Sequence, residues 1–174
     1  MPNHVHLILI PPDAEALGLA VGEAHRRYTN FVNARGRWTG HLFQSRFASV
    51  AMDEGHVLAA ARYVAMNPVR ARLAARAEDW PWASTRAHLA GADDGLVTVR
   101  PLLERIGDFA GFLAAGQNPA ADRALRAAET TGRPLGNEHF IAKLEQLLGR
   151  RLARGRPGPK PRREGGALVL ELGR

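Results

Sequence analysis

Residues 4–12 read HVHLILIPP, a run short and aliphatic enough to be a strand, ended by two prolines that cannot donate to a ladder. Side chains alternate faces along a strand, so His4 and His6 project together while Val5 and Leu7 project from the other side. A segment that could be wholly apolar thus carries two imidazoles on one face. They are either a pair of surface histidines or half of a divalent-metal site whose remaining ligands lie elsewhere in the chain.

The rest of the chain supplies a partner strand and several helices. Residues 14–34 have Leu17, Val21, Ala24, Tyr28, Phe31 and Val32 near one helical face. ARGRWTGH is a basic turn, and LFQSRFASVAMD returns as a strand rich in aromatic and β-branched residues. A helix is expected from about Glu54 to Met66, stopping near Asn67-Pro68 because the residue before proline disfavours the helical region. EDWPWASTRAHLAG reads as a turn and a short helix, and GADDG as a linker. Beyond it the pattern is helical, near 100–114, 119–130 and 138–148. Asn118 and Asn137 are the expected caps of the last two, and Gly149 is the stop of the third. The expected architecture is α+β: an antiparallel sheet packed against helices over residues 1–90. A helical DNA-binding or accessory region over 91–149 and a basic, flexible Pro/Gly-rich tail over 150–174 follow.

Composition narrows the partners. The chain has 174 residues, enough for one domain or one domain with an appendage. It has no cysteine, which excludes disulfides and thiolate metal sites and fits a cytoplasmic location. No apolar run approaches the roughly 20 residues of a membrane span. Lys and Arg outnumber Asp and Glu by 24 to 17, for a net charge of +7, and all but two of these cations are Arg. Guanidinium groups bind phosphate bidentately, so the balance points to nucleic acid.

A candidate for the missing half of the metal site lies in RYVAMNPVRA. Tyr63 and Asn67 are four residues apart and share one helical face. The Asn67 amide oxygen is a hard ligand compatible with Mg²⁺ or Mn²⁺, and Tyr63 would stand one turn away. A phenol is a weak nucleophile near its ordinary pKa of about 10, but it suffices when the phosphate is polarised and held in line. The product would be a phosphotyrosine. Tyr28, in RRYTNFVN, competes for the nucleophile role but has Val32 in place of a ligand at the fourth position on.

The ordered motifs MPNHVHL, RRYTNFVN, TGHLFQSRF, RYVAMNPVRA and DWPWAS span roughly residues 1–90. Together they resemble the REP-associated tyrosine transposases, single-tyrosine members of the HUH transposases. The resemblance implies a metal-dependent enzyme that nicks and joins single-stranded DNA at hairpin-forming repeats. His4 and His6 correspond to the metal-binding histidines, Tyr63 to the nucleophile and Asn67 to the polar residue four positions on. The implied reaction leaves a 5′-phosphotyrosine and a free 3′-hydroxyl. Members of that family carry some tens of residues before this strand, including a further strand of the sheet. The resemblance therefore implies a chain that starts inside the motif, from a misassigned start or a truncated gene, and a strand with an exposed apolar edge.

Arg26 and Arg27 on the first helix, Arg46 on the second strand, and Arg70 and Arg72 after the Tyr63 helix are candidate phosphate contacts. In the tail, ARGRPGPKPRR has an Arg-Gly-Arg-Pro core that resembles an AT-hook, with Arg154, Arg156 and Lys160 as its cations. Such a segment suits a narrow minor groove or simple phosphate attraction. The expected function is a transposase acting on structured single-stranded DNA. The alternative is a non-catalytic DNA-binding remnant or regulator derived from one. A replication-initiation or relaxase type is disfavoured, since there is no helicase motif and no second tyrosine in the turn adjacent to Tyr63.

Overall fold

A computed structural model describes residues 1–152 except 2 and 117. Seven helices follow in order: α1 (Ala16–Gly36), α2 (Glu54–Arg70), α3 (Thr85–Ala90), α4 (Arg100–Ile106), α5 (Phe109–Ala114), α6 (Pro119–Thr131) and α7 (Glu138–Leu148). A single 3₁₀ turn, Ala77–Asp79, precedes α3.

The expected α+β architecture is overturned, because the described residues form helices and no sheet. Residues 5–10 form no strand and pair with none, and Val5, Leu7 and Ile10 are more than half exposed. Residues 42–53 likewise form no strand, and the one β-type pairing is an isolated parallel bridge between Met52 and Leu135. There the Leu135 N–H donates to Ala51 O at 2.8 Å and the Asp53 N–H donates to Leu135 O at 3.0 Å. The physical reason is that alternation encodes an extended backbone, while a sheet also needs a second backbone alongside to take its N–H and C=O groups. The segment before α2 finds that partner in the loop before α7, not in residues 5–10.

The core sits around α2. Its small residues Ala60, Ala61 and Ala65 are buried and let α5, α6 and the 3₁₀ turn approach closely. Tyr63 and Leu125 of α6 are buried against Ala60, with Met52, Val64 and Leu135 packed around them. Arg62 fastens α5: its Nε donates to Phe112 O at 2.9 Å, and the guanidinium lies 4.1 Å from the Phe112 ring centroid. By contrast α1 buries none of its residues.

Helix ends follow local chemistry. Asn118 accepts from the Ala120 and Ala121 N–H groups, and Asn137 accepts from Phe140. Gly149 adopts φ 62°, a left-handed stop for which glycine is suited. The expected helix over 100–114 is two, broken where Gly107 turns to φ 70° and Asp108 caps α5. More consequential is α2, which does not stop at Pro68 but runs one turn further, to Arg70. Proline removes the hydrogen bond to residue 64, but Ala71 and Leu73 N–H still donate to Asn67 O and Pro68 O, so the last turn closes.

Asp53 joins α2 to the segment ahead of α7. Its carboxylate accepts from the His56 N–H, the His56 ring Nδ1 and the Asn137 N–H, at 3.0, 2.6 and 2.8 Å. Burial alone would raise its pKa. The His56 ring and the two backbone donors outweigh that and hold it at about 2. A carboxylate depressed below its ordinary value of about 3.9 stabilises the fold above that pH, and the contribution is lost as pH falls through about 2. Asp53→Ala is expected to cost about 2 kcal/mol at pH 7 and to flatten that part of the acid-unfolding curve, as read by urea titrations at pH 7 and pH 3.

Candidate functional site

Three stretches far apart in sequence meet at one end of α2. Residues 4–6 bring two imidazoles, α2 brings Tyr63, Asn67 and Arg70, and α6 brings Asp122 and Glu129. His4 Nε2 and His6 Nε2 face each other at 3.2 Å, with the rings edge to face at 84°. The His6 ring in turn stands edge-on to Tyr63, with centroids 5.9 Å apart. Arg70 lies across the other partners of the site. Its guanidinium carbon is 3.8 Å from the Tyr63 ring centroid, Nη2 donates to Asn67 Oδ1 at 2.9 Å, and Nη1 donates to Asp122 Oδ2 at 3.2 Å. On the far side of His6, its Nδ1 is 3.8 Å from Glu129 Oε1. Burial lowers the His6 pKa below its ordinary value. Glu129 opposes that lowering, while His4 and Arg70 add to it.

The sequence-derived residues thus divide. His4, His6 and Tyr63 come together, as expected of one site, although no sheet carries the histidines. Two nitrogens bound to one ion at about 2.1 Å stand about 3.0–3.4 Å apart, so the histidine pair fits a divalent cation. Asn67 is buried, and Arg70 already engages its amide oxygen. An amide oxygen has two lone pairs, but a cation beside it disfavours a second one. Among the described residues no cluster of three or more His, Asp or Glu side chains converges on one point. Tyr63 is only 8% exposed, clustered with Ala60 and Leu125 and lying under the Arg70 guanidinium.

The candidate phosphate contacts lie mostly elsewhere. Arg26 and Arg27 are exposed on α1 and share the Glu23 carboxylate at 2.7 Å each, and these hydrogen bonds lower the Glu23 pKa to about 2. Arg46 and Arg72 are exposed, the latter in a left-handed conformation at φ 59°. Arg70 is the last residue of α2, not part of the following loop, and it reaches the site. Arg154, Arg156 and Lys160 lie outside the described residues, as does nearly all of the basic tail. Trp38 and Trp82 are exposed, while Phe43 stacks on His25 with ring centroids 3.9 Å apart.

Asp122 and Glu129 were not singled out by sequence reasoning. Their spacing carried a usable sign: positions 122, 125 and 129 share one face of α6, so two carboxylates sit on the stripe that buries Leu125. Among the described residues no helix is long and apolar enough to cross a membrane. No protein-family model, curated protein or solved structure matches this chain significantly.

Proposed function

We propose that the chain is a cytoplasmic, metal-dependent transposase that cleaves and rejoins structured single-stranded DNA through Tyr63. The observation that carries this reading is the approach of His6 to Tyr63, edge to face at 5.9 Å, with His4 Nε2 and His6 Nε2 converging beside them. A divalent cation, Mg²⁺ or Mn²⁺, held by His4 and His6 would draw electron density from a phosphodiester oxygen and ease attack at phosphorus. The other roles belong to side chains. Tyr63 Oη gives up its proton to solvent and forms a bond to phosphorus. The bond from phosphorus to the 3′-oxygen breaks, and that oxygen takes a proton to leave a 3′-hydroxyl and a 5′-phosphotyrosine. Rejoining is the reverse, with an incoming 3′-hydroxyl displacing the phenol. Arg70, beside the Tyr63 ring, supplies a cation for the phosphate.

The test is a denaturing gel of the chain mixed with labelled single-stranded hairpin DNA and Mn²⁺. A protein–DNA adduct that needs Mn²⁺, His4 and His6 supports the enzyme. Absence of an adduct across a range of hairpins, with DNA binding retained, favours a non-catalytic DNA-binding relative. Two observations speak for that second reading: the Tyr63 side chain is almost fully covered by its neighbours, and Arg70 occupies the Asn67 oxygen.

A further inference from the structure

Between Glu23 and Asp53 the chain carries five arginines, Arg26, Arg27, Arg35, Arg37 and Arg46, and no carboxylate side chain. Glu23 is shared by the first two. Among the described residues the other three form no ion pair, and all are exposed. Two of them, Arg35 and Arg37, flank the end of α1, where aromatic side chains are exposed as well. Trp38 is 65% exposed, Phe31 is more than half exposed, and α1 buries none of its residues. The Trp38 ring lies against the last residue of the helix. A Cβ placed on Gly36 would come within 2.6 Å of Trp38 Cδ2, well inside the roughly 3.5–4.0 Å of carbons in contact. Glycine is thus what lets the indole fold back on the backbone. Arg37 makes the turn at φ 53°, a left-handed conformation that glycine usually fills, and the Trp38 N–H donates to Asn33 O at 2.9 Å. Asn33 Nδ2 donates to Gly40 O at 3.0 Å and ties down the far side of the loop. The indole, Val32, Arg35 and Gly36 line a cavity of about 280 Å³.

We propose that this cavity seats one unpaired base of single-stranded DNA, stacked on the Trp38 indole, while Arg35 and Arg37 contact the phosphates beside it. Phosphates match the two unpaired guanidinium groups, and a partner that also offers flat apolar faces uses the ring between them. A duplex buries those faces in its own stack, so the partner is a single strand. The inference deepens the reading above and rests on it for the partner. It assigns strand binding to α1, an element that holds neither Tyr63 nor the histidine pair.

Fluorescence anisotropy of labelled oligothymidylate, titrated with the full chain, tests the assignment. Trp38→Leu is expected to weaken binding about tenfold or more and to leave the slope of log affinity against log salt unchanged. Arg35→Gln with Arg37→Gln should lower that slope by about 1.4, the value of two single-strand phosphate contacts. Gly36→Ala keeps the indole and both cations but pushes the ring off its seat, so it should weaken binding as Trp38→Leu does. Neither α1 nor Trp38 belongs to the buried core, so circular dichroism should show all of these variants folded. Oligothymidylate held as tightly by Trp38→Leu as by wild type, or not held by a wild type that still binds hairpin DNA, overturns the base seat and leaves the single-strand reading standing. A duplex bound as tightly as oligothymidylate shows phosphate attraction without a seated base and also overturns it. A wild-type chain that binds neither oligothymidylate nor hairpin DNA overturns this inference and the DNA reading together.

Discussion

Tyr63→Phe is expected to abolish the covalent DNA adduct, with a fall on the order of 10⁴-fold or more, while hairpin binding changes little. The substitution removes only the oxygen that would bond to phosphorus. The ring remains, and it makes the packing contacts: Leu125 and Ala60 lie against it, the His6 edge stands beside it and the Arg70 guanidinium lies over it. Loss of activity with the fold intact would therefore report chemistry. Tyr28 is the natural control. It is 55% exposed on α1, beside Phe43 and not beside the histidine pair. An adduct that survives Tyr63→Phe and vanishes in Tyr28→Phe would move the nucleophile to α1 and separate it from His4 and His6. An adduct lost in neither single variant would sink both assignments.

The burial of Tyr63 sets how such an adduct forms. At 8% exposure its side chain is largely closed to a phosphodiester while Leu125 of α6 packs against it. If Tyr63 is the nucleophile, a phosphodiester reaches it only in a locally opened state, and the adduct yield should follow the free energy of that opening. Substitutions that loosen α6 without touching Tyr63, such as Leu125→Ala, bear on that step. They separate a slow opening from a failed nucleophile.

What the residues disclosed beforehand follows the range of the forces involved. Caps are local: Asn118, Asn137 and Gly149 fix the start of α6 and both ends of α7, because each acts on backbone groups within one turn. The meeting of His4 and His6 was legible for the same reason, since they stand only two residues apart. Their approach to Tyr63 was anticipated through the resemblance of the motifs. The sheet was not legible, because pairing depends on which distant backbone arrives alongside. Here Leu135 reaches residues 51–53, and no backbone reaches residues 5–10 among the described residues. Pro68 misled in the same way. Its local preference favours an earlier stop, yet the extra turn of α2 carries Arg70 onto Asn67 and Asp122, and those contacts outweigh it. Asp122 and Glu129 escaped notice because a carboxylate on an apolar helical face gains its meaning only from the cation or imidazole that meets it.

The Arg70–Asp122 pair should give the largest stability effects in the molecule. Asp122 is buried and Arg70 partly so, and Arg70 also donates to Asn67 and stacks on Tyr63. Removing one partner strands the other charge away from water, so Arg70→Ala and Asp122→Ala are each expected to cost about 3 kcal/mol, as shifts in urea midpoint at pH 7. Replacing both by apolar residues of similar volume, Arg70→Met with Asp122→Leu, removes the attraction and the desolvation penalty together, and its cost should fall to about 1–3 kcal/mol, that of leaving the buried Asn67 oxygen unpaired. A double variant as unstable as the sum of the singles would show that the pair is not coupled and that the singles act through other contacts. The double variant also isolates the role of Arg70 toward DNA. With the fold retained and this cation gone, hairpin binding should weaken, and the slope of log affinity against log salt should fall by about 0.7, the value of one single-strand phosphate contact. An unchanged slope would confine Arg70 to holding α2 against α6 and leave the phosphate to other cations.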